Sequence, residues 1–398
     1  MRSSYSDKRR PDSVDYVQTI AEDLARRDLT VNAIAINLET LKITDPFGGL
    51  GDISRETLQT VGNPHERFQE DALRLMRAVR FQSQLGFMLS RETFEAISAN
   101  AALLRHISIE RIQEEFSKIL LSDRPAEGVF ILEKSGLLQY IVPELLQTIG
   151  VEQGGAHSFD VWNHLLKSLQ HTADKKNRLE LRLAALFHDV AKPQTRGEGK
   201  YKKYSFFNHE VVGATMTYEI LGRLKYPNKI QKYVPKLVRH HMFFADPDEL
   251  SLAGVRRFIA RVGKETLLDL LELRKADRVG TGTPKEESYR LKKFQAMIDE
   301  ALRDPVSLKT LKINGDIMIK DGLAEPGKQM GNVLYALLAE VLDSPRKNEL
   351  SYLKKRSLEL AALAEIELSQ LGQAGRDILQ KEEDEQVSEL YKKRGVQK

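Results

Sequence analysis

At 398 residues, with 41% hydrophobic and 30% charged side chains, the chain is too long for one hydrophobic core and reads as a soluble globular protein of two to four domains. Zero cysteines exclude disulfides and every thiolate metal site and suit a reducing compartment, here expected to be the cytoplasm. No run approaches the ~20 apolar residues that span a bilayer, MRSSYSDKRRPDS is no signal peptide, and 61 basic against 57 acidic residues neither demand nor exclude nucleic acid.

In chain order, SVDYVQ (13–18) reads as a short strand and TIAEDLARR (19–27) as a helix. LTVNAIAINLE (29–39) alternates like a strand, LKIT (41–44) follows as a second, and DPFGGLGD (45–52) is a turn-rich loop. Two short β segments make a marginal sheet, and Val31, Ile34 and Ile36 are expected on its open edges. After residue 66 the periodicity is helical: 67–87, 91–104, 109–121 and 126–141, then 161–174, 179–191, 209–224, 229–244, 251–262 and 264–279. GTGTPKEES (280–288) is the clearest linker. A further helical region runs from 289 to 345, and the charged tail (346–398) is expected as helix or disorder, frayed from 380 onward.

Seven of the nine histidines fall between residues 157 and 241. His188-Asp189 closes an apolar helical run, with His164 upstream and His209, His240, His241 and Asp277 downstream. Imidazole and carboxylate ligands suit a divalent ion such as Mn, Mg, Ni, Co, Fe or Zn. Lys192, just beyond the pair, is placed to bind phosphate. Histidines making helix-to-helix hydrogen bonds in a purely structural domain account for the same pattern. His157 and His171 belong to the region without an assigned role, as do His65 and His106 outside it.

The N-terminal part carries a second centre. Arg26-Arg27-Asp28 precedes the alternating stretch, where guanidinium groups can clamp phosphates, with Asn32 close by. In Glu70-Asp71-x-x-Arg74-x-x-Arg77-x-x-Arg80 the spacing puts Asp71 and Arg74 on one helix face, an acceptor beside a donor as base recognition requires. A solvated ion pair with ordinary surface arginines has the same spacing.

RRDLTVNAIAIN, DPFGGLGDI, TVGNPHERFQEDALRLMRAVRFQSQLGF and ISIERIQEEFSKIL resemble consecutive motifs of the bacterial tRNA nucleotidyltransferase (CCA-adding) and poly(A) polymerase family, second class. The resemblance covers residues 5–145. It implies Mg2+-dependent addition of C, C and A to tRNA 3′ ends from CTP and ATP. It further implies that Arg27, Asp28 and Asn32 contact the nucleotide sugar and triphosphate, and that Asp71 and Arg74 read the base. Arg77 and Arg80 then lie close to phosphate, and Glu110, Arg111 and Glu114 form the neck motif. The histidine region resembles the HD phosphohydrolases, which implies a metal centre of His164, His188, Asp189, His209, one or both of His240 and His241, and Asp277. Residues 308–345 resemble the family's C-terminal body and tail. There Pro326-Gly327 launches a helix, and Lys309, Lys312, Lys320 and Lys328 offer charge for RNA phosphate, although a plain turn-to-helix junction reads equally well.

The fold so implied is mostly α. It comprises a nucleotidyltransferase head remnant (1–65), neck and nucleotide-recognition helices (66–150), an HD domain (151–280), a C-terminal body (281–350) and a charged tail (351–398). One departure is severe. The family opens with a glycine-pair turn and an Asp-x-Asp that holds two magnesium ions, and nothing upstream of residue 27 provides them. Asp246-Pro247-Asp248 follows a histidine helix, not a glycine turn, and is no substitute. The expectation is a head cut short and inactive in nucleotide transfer unless a partner supplies the lost segment. That leaves an HD phosphohydrolase acting on RNA ends or nucleotides, or a non-catalytic RNA-binding remnant, as alternatives. No membrane partner is expected, and the residues specify neither oligomeric state nor HD substrate.

Overall fold

The structure, a computed structural model, describes residues 19–154, 158–198, 203–243, 250–283, 285–303 and 308–397. Its described residues fall into two compact units, one spanning 1–244 and 262–287 and the other 245–261 and 288–398. Both are mostly helical, as the sequence implies.

The first unit opens with α1 (Ile20–Ala25), started by a reciprocal capping box between Thr19 and Glu22. The expected strand 29–39 does not form as a unit. Thr30–Asn32 wind into a 3-10 turn, because the Thr30 hydroxyl donates to the buried Asp52 (2.6 Å) and its N–H to Gln59 (2.9 Å). Only β1 (Ala35–Ile36) pairs, antiparallel, with β2 (Ile43–Thr44). Ile36 is exposed as expected, whereas Val31 and Ile34 are half-buried. Ile34 lies beneath α2 (Gly49–Ser54), where an added Cβ on Gly49 would meet the Thr30 carbonyl at 2.2 Å. The stretch 13–18 lies outside the described residues.

β3 (Thr57–Leu58) pairs in parallel with β4 (Met88–Leu89), a ladder the alternation signal misses because each strand is two residues long. Between them the expected single helix 67–87 is two, α3 (Pro64–Glu70) and α4 (Leu73–Leu85). Asp71 is the break: its backbone is extended and its Oδ1 accepts the Leu73 N–H (3.1 Å). α5 (Arg91–Asn100), α6 (Ile109–Leu120), α7 (Pro125–Lys134) and α8 (Pro143–Leu146) follow. Gly136, at φ 74°, stops α7 short of the expected residue 141.

α9 (Val161–Asp174) and α10 (Leu179–Phe187) come next, then α11 (Lys192–Thr195) and a hairpin of β5 (Arg196–Glu198) and β6 (Tyr204–Phe206), where only a break is expected. α12 (His209–Arg223) and α13 (Asn228–His240) lead to α14 (Leu252–Val262), which lies in the second unit up to Arg261, and to α15 (Lys264–Gly280) back in the first. α10 is apolar nearly all round and packs against α6, α9, α13 and α15, as a helix without a polar face must.

The second unit continues with α16 (Tyr289–Leu302), α17 (Gly315–Lys320), α18 (Lys328–Asp343), α19 (Leu350–Ala361) and α20 (Glu365–Lys393). The charged tail is therefore helix through Lys393, and its apolar minority explains why. Leu353, Leu360 and Leu368 join Val333 and Leu337 of α18 in one core. Among the described residues no helix is long and apolar enough to cross a membrane.

α20 can lie close on α18 because Gly375 carries no Cβ: an added one would meet the Tyr335 carbonyl oxygen at 2.2 Å. Gly375→Ala is expected to cost about 2 kcal/mol in chemical denaturation, since backbone cannot yield as a side-chain end does. Gly331→Ala, in the same α18 with no atom within 4 Å of the new Cβ, is expected to gain about 0.5–1 kcal/mol.

Candidate metal centre and nucleotide site

Five helices or helix ends bring one chemistry to one place. α9 carries His164, the end of α10 delivers His188 and Asp189, α12 starts at His209, α13 ends before His241, and α15 carries Asp277. All six are buried. His164 Nε2 lies 2.9 Å from His188 Nε2, and His209 Nε2 lies 3.3 Å from His241 Nε2. Asp189 sits between the pairs: Oδ2 is 3.2 and 3.3 Å from His164 and His188, and Oδ1 is 3.3 and 3.7 Å from His209 and His241. Asp277 Oδ1 is 3.4 Å from His164 Nε2, and its other oxygen takes Arg274 at 2.5 Å.

Which ring nitrogen carries the proton follows from the backbone. His188, His209 and His241 each place Nδ1 2.7–2.9 Å from the carbonyl three residues earlier, at Ala185, Phe206 and Val238. A carbonyl only accepts, so Nδ1 donates and Nε2 of the neutral ring turns its lone pair to the centre. Both Asp189 oxygens are buried without a hydrogen bond of good geometry, and the one cation beside them among the described residues is the Lys192 ammonium, 2.5 Å from Oδ2. Lone pairs converging at these distances need a cation, and ligand atoms ~3 Å apart are what ~2.1 Å bonds to one ion produce. The donors group as His164–His188–Asp189 and Asp189–His209–His241, so Asp189 belongs to both. An all-N/O set of this kind fits a borderline divalent ion.

The electrostatics agree. Burial alone would keep His188 neutral, but Asp189 and Asp277 outweigh it and lift it to about 10. Burial would likewise raise Asp189, yet Lys192 and His188 hold it well below the usual carboxylate range. Asp277 is held low against burial by His188, His164 and Arg274. His241, whose burial dominates, is lowered. The pocket therefore demands positive charge, as a proton or as an ion.

Two expectations change here. His240, one residue from His241 and about 100° round the helix, is half-buried and belongs to neither ligand group. Lys192 is not poised for an incoming phosphate: its ammonium lies 2.5 Å from Asp189 and donates to Gln153 (2.6 Å). Gln153, in a loop before α9, carries no sequence signal of this role. Gly280 does, at the end of ADRVG: an added Cβ would meet Ser168 Oγ at 2.1 Å and His164 Nδ1 at 2.9 Å. His171 is buried outside both groups, His65 pairs with Asn100 (3.0 Å), and His157 lies outside the described residues.

In the N-terminal centre, Asp28 is buried and accepts from Leu29 N–H (3.0 Å), Asn32 (3.1 Å) and Arg77 Nε (2.7 Å). Burial pushes its carboxyl up, but Arg77 and these donors outweigh it and hold it below the ordinary value. Asp71 and Arg74 do not share a helix face, because Asp71 lies in the break. Asp71 takes Arg111 of the neck (3.0 Å), while Arg74 grips Glu70 (2.5 Å) and the Arg26 carbonyl (2.9 Å). Arg80 is buried against Glu115 (3.0 Å) and stacks on Phe81 (4.4 Å). Arg27 is exposed and pairs with Asp23 (3.0 Å). Glu110 pairs with Lys225 (2.6 Å) and Glu114 with Lys118 (2.8 Å). In the second unit Lys309 and Lys328 are exposed and Lys312 pairs with Glu349 (2.8 Å).

Fold and site together define a helical protein built round a buried His–Asp ligand set. Three family models match it: the "Poly A polymerase head domain" over residues 1–59, the "Probable RNA and SrmB- binding site of polymerase A" over 86–148, and the "HD domain" over 154–282. The chain is 35% identical over 338 residues to the A-adding tRNA nucleotidyltransferase of Deinococcus radiodurans, covering 82% of this chain and 76% of that one. It is 36% identical over 330 residues to the CC-adding tRNA nucleotidyltransferase of Thermus thermophilus, covering 80% and 73%. Among solved structures it resembles the Bacillus stearothermophilus CCA-adding enzyme in complex with CTP, at 28% identity and TM-score 0.52 over 86% of this chain and 75% of that one. The chain belongs to the bacterial tRNA nucleotidyltransferase family and carries an HD domain.

Asp189→Asn, which weakens both ligand groups at once, is expected to strip bound divalent ion to background in elemental analysis of the dialysed protein. His171→Ala, outside both groups, is expected to retain it. Arg77→Ala leaves a buried carboxylate without its cation and is expected to cost about 2 kcal/mol near neutral pH. Because Asp28 is held low in the folded state, that cost belongs to the pH range above the ordinary carboxylate value. It should shrink as acid protonates Asp28 in both proteins, as paired denaturation curves will show.

Proposed function

We propose that these residues provide the nucleotide-binding and RNA-binding part of an enzyme that adds C, C and A, or some of them, to tRNA 3′ ends from CTP and ATP. The reading is carried by the likeness to the A-adding enzyme across 82% of the chain. Arg27, Asp28 and Asn32 then meet the sugar and triphosphate, Asp71 and Arg74 the base, and Arg77 and Arg80 the phosphate side. Glu110, Arg111 and Glu114 set the neck against them, and Lys309, Lys312 and Lys328 meet tRNA phosphates. Recognition of that kind is by shape and backbone, not sequence. The working partition is head (1–65), neck (66–150), HD domain (151–280), body (281–350) and tail (351–398), in a cytoplasmic setting.

Transfer of a nucleotidyl group from a triphosphate needs carboxylates that hold Mg2+ against the attacking and leaving oxygens. The one Asp-x-Asp among the 398 residues, Asp246-Pro247-Asp248, lies outside the described residues and follows no glycine turn. We therefore infer that these residues alone bind CTP or ATP but do not add it.

A second activity is favoured by the convergence of four imidazoles on Asp189: metal-dependent hydrolysis of a phosphoester on a nucleotide or an RNA end. A divalent ion held there supplies Lewis acidity and screens phosphate charge. This chain's own part is to fix the donor lone pairs through the three backbone carbonyls and to hold Asp189 ionised beside Lys192.

Incubation of the purified chain with tRNA lacking its 3′ end, labelled CTP or ATP and Mg2+ is expected to give nucleotide binding without extension. Extension by these residues alone would overturn the inference about the carboxylates. Phosphate release from AMP is expected with a divalent ion present, to be lost in Asp189→Asn and kept in Arg77→Ala. Binding of tRNA with no turnover under any divalent ion would leave an RNA-binding role only.

A further inference from the structure

The HD centre is closed almost everywhere, and the residual exposure of its side chains locates where solvent comes nearest. His164 and His188 have none and Asp189 and His241 only 2%, whereas His209 keeps 7%, Lys192 9% and Asp277 11%. Solvent therefore reaches the cluster past Lys192, His209 and Asp277. The chain leaves this mouth at Lys192, runs through α11 into β5, and returns along β6 to His209. Both ends of the hairpin are thus tied to the mouth, the first by Lys192 on Asp189 and the second by the Phe206 carbonyl on His209.

What the hairpin carries is unlike the rest of the unit. Tyr204, Phe206 and Phe207 fall within four residues, and cations flank the first two. Arg196 lies over the Tyr204 ring at 3.8 Å, Lys203 beside it at 4.9 Å, and Lys192 Nζ sits 5.5 Å from the Phe206 ring. Glu152 fixes the arrangement by accepting from both Tyr204 and Lys203 at 2.9 Å. Phe207 lies in the turn before α12 and is 81% exposed, so it contributes nothing to packing. An exposed ring next in sequence to these cation-flanked aromatics, and two residues before His209 of the centre, is the composition that stacks a nucleobase while Arg196 meets its phosphate.

We propose that the β5–β6 hairpin is the base platform of the HD site, with Phe207 as its stacking face. The substrates are accordingly phosphoesters that bear a nucleobase rather than small phosphate esters. The proposal rests on the hydrolase reading given above. Phe207 touches no reacting atom and acts by positioning.

The test compares AMP with ribose 5-phosphate on the metal-loaded protein. In Phe207→Ala, kcat/KM for AMP relative to ribose 5-phosphate is expected to fall roughly 5- to 100-fold, with the change in KM, and Phe207→Trp is expected to restore it. Equal losses on both substrates, or no change in the ratio, would overturn the platform. Should the wild-type protein turn over neither, the hydrolase reading falls and the platform is decided by fluorescence. The chain's one tryptophan, Trp162, is buried, so Phe207→Trp reports on its own surroundings. Its emission is expected to be quenched by AMP beyond the wild-type response and not by ribose 5-phosphate; equal responses would reject the proposal.

Discussion

Burying a carboxylate among four imidazoles is costly unless a positive charge shares the space, and that constraint organises the first unit. No single element supplies more than two of the ligands, so the centre exists only when α9, α10, α12, α13 and α15 are packed together. The helices are placed by apolar burial, which has no directional preference; the carbonyls of Ala185, Phe206 and Val238 then aim the rings. The division of labour is clean. Hydrophobic area brings the backbones within range, and three backbone acceptors convert that proximity into oriented lone pairs.

The same helix that ends in His188-Asp189 also holds the neck. Arg182 of α10 is buried and donates to the carbonyls of Leu120 and Ser122 at 2.7 Å each, and to Asn177 at 2.8 Å. Leu120 is the last residue of α6 and Ser122 lies just past its end, where no helical N–H reaches the carbonyls, and a guanidinium is a natural cap for them. α6 in turn gives Arg111 to Asp71, Glu115 to Arg80 and Ser117 to the buried Tyr226. One helix thus touches the proposed nucleotide side at its start and the HD helices at its end. The two centres are parts of one packed body, not beads on a linker.

How much of this was legible beforehand depends on where each partner lies. The helical run into His188-Asp189, the later histidines and ADRVG carry their chemistry in local spelling, so the buried His–Asp cluster was readable apart from whether His240 joins His241 in it. That choice turns on the phase of α13 at its last turn, which periodicity alone leaves open by a residue. The break at Asp71 was not readable, since QEDALRL has good helix formers on both sides. What bends it is the carboxylate turning back to Leu73 N–H and out to Arg111, forty residues away. Gln153 and Asp52 failed for the same reason: their partners, Lys192 and Thr30, are distant in sequence and nothing local marks the contact. Strands of two residues are below what alternation can register.

The arginines of the N-terminal centre show a further consequence of long-range pairing. Spacing alone suggests a row of cations on one helix, waiting for phosphate. In the folded chain each has an anion or carbonyl already: Arg77 has Asp28, Arg74 has Glu70 and the Arg26 carbonyl, and Arg80 has Glu115, while Arg111 of α6 has Asp71. On the proposed nucleotide-binding reading, a triphosphate competes there with carboxylates instead of filling an empty field, and the outcome differs by burial. Arg80 and Glu115 are almost wholly out of water, so parting them strands two desolvated charges. Arg77 keeps a third of its side chain exposed, and Asp28 retains the Leu29 N–H and Asn32 as donors, so turning Arg77 to a ligand leaves one buried charge and not two. Of the row, Arg77 is therefore the side chain able to exchange its partner, while Arg80 keeps α4 locked to α6 and holds the site's floor in place.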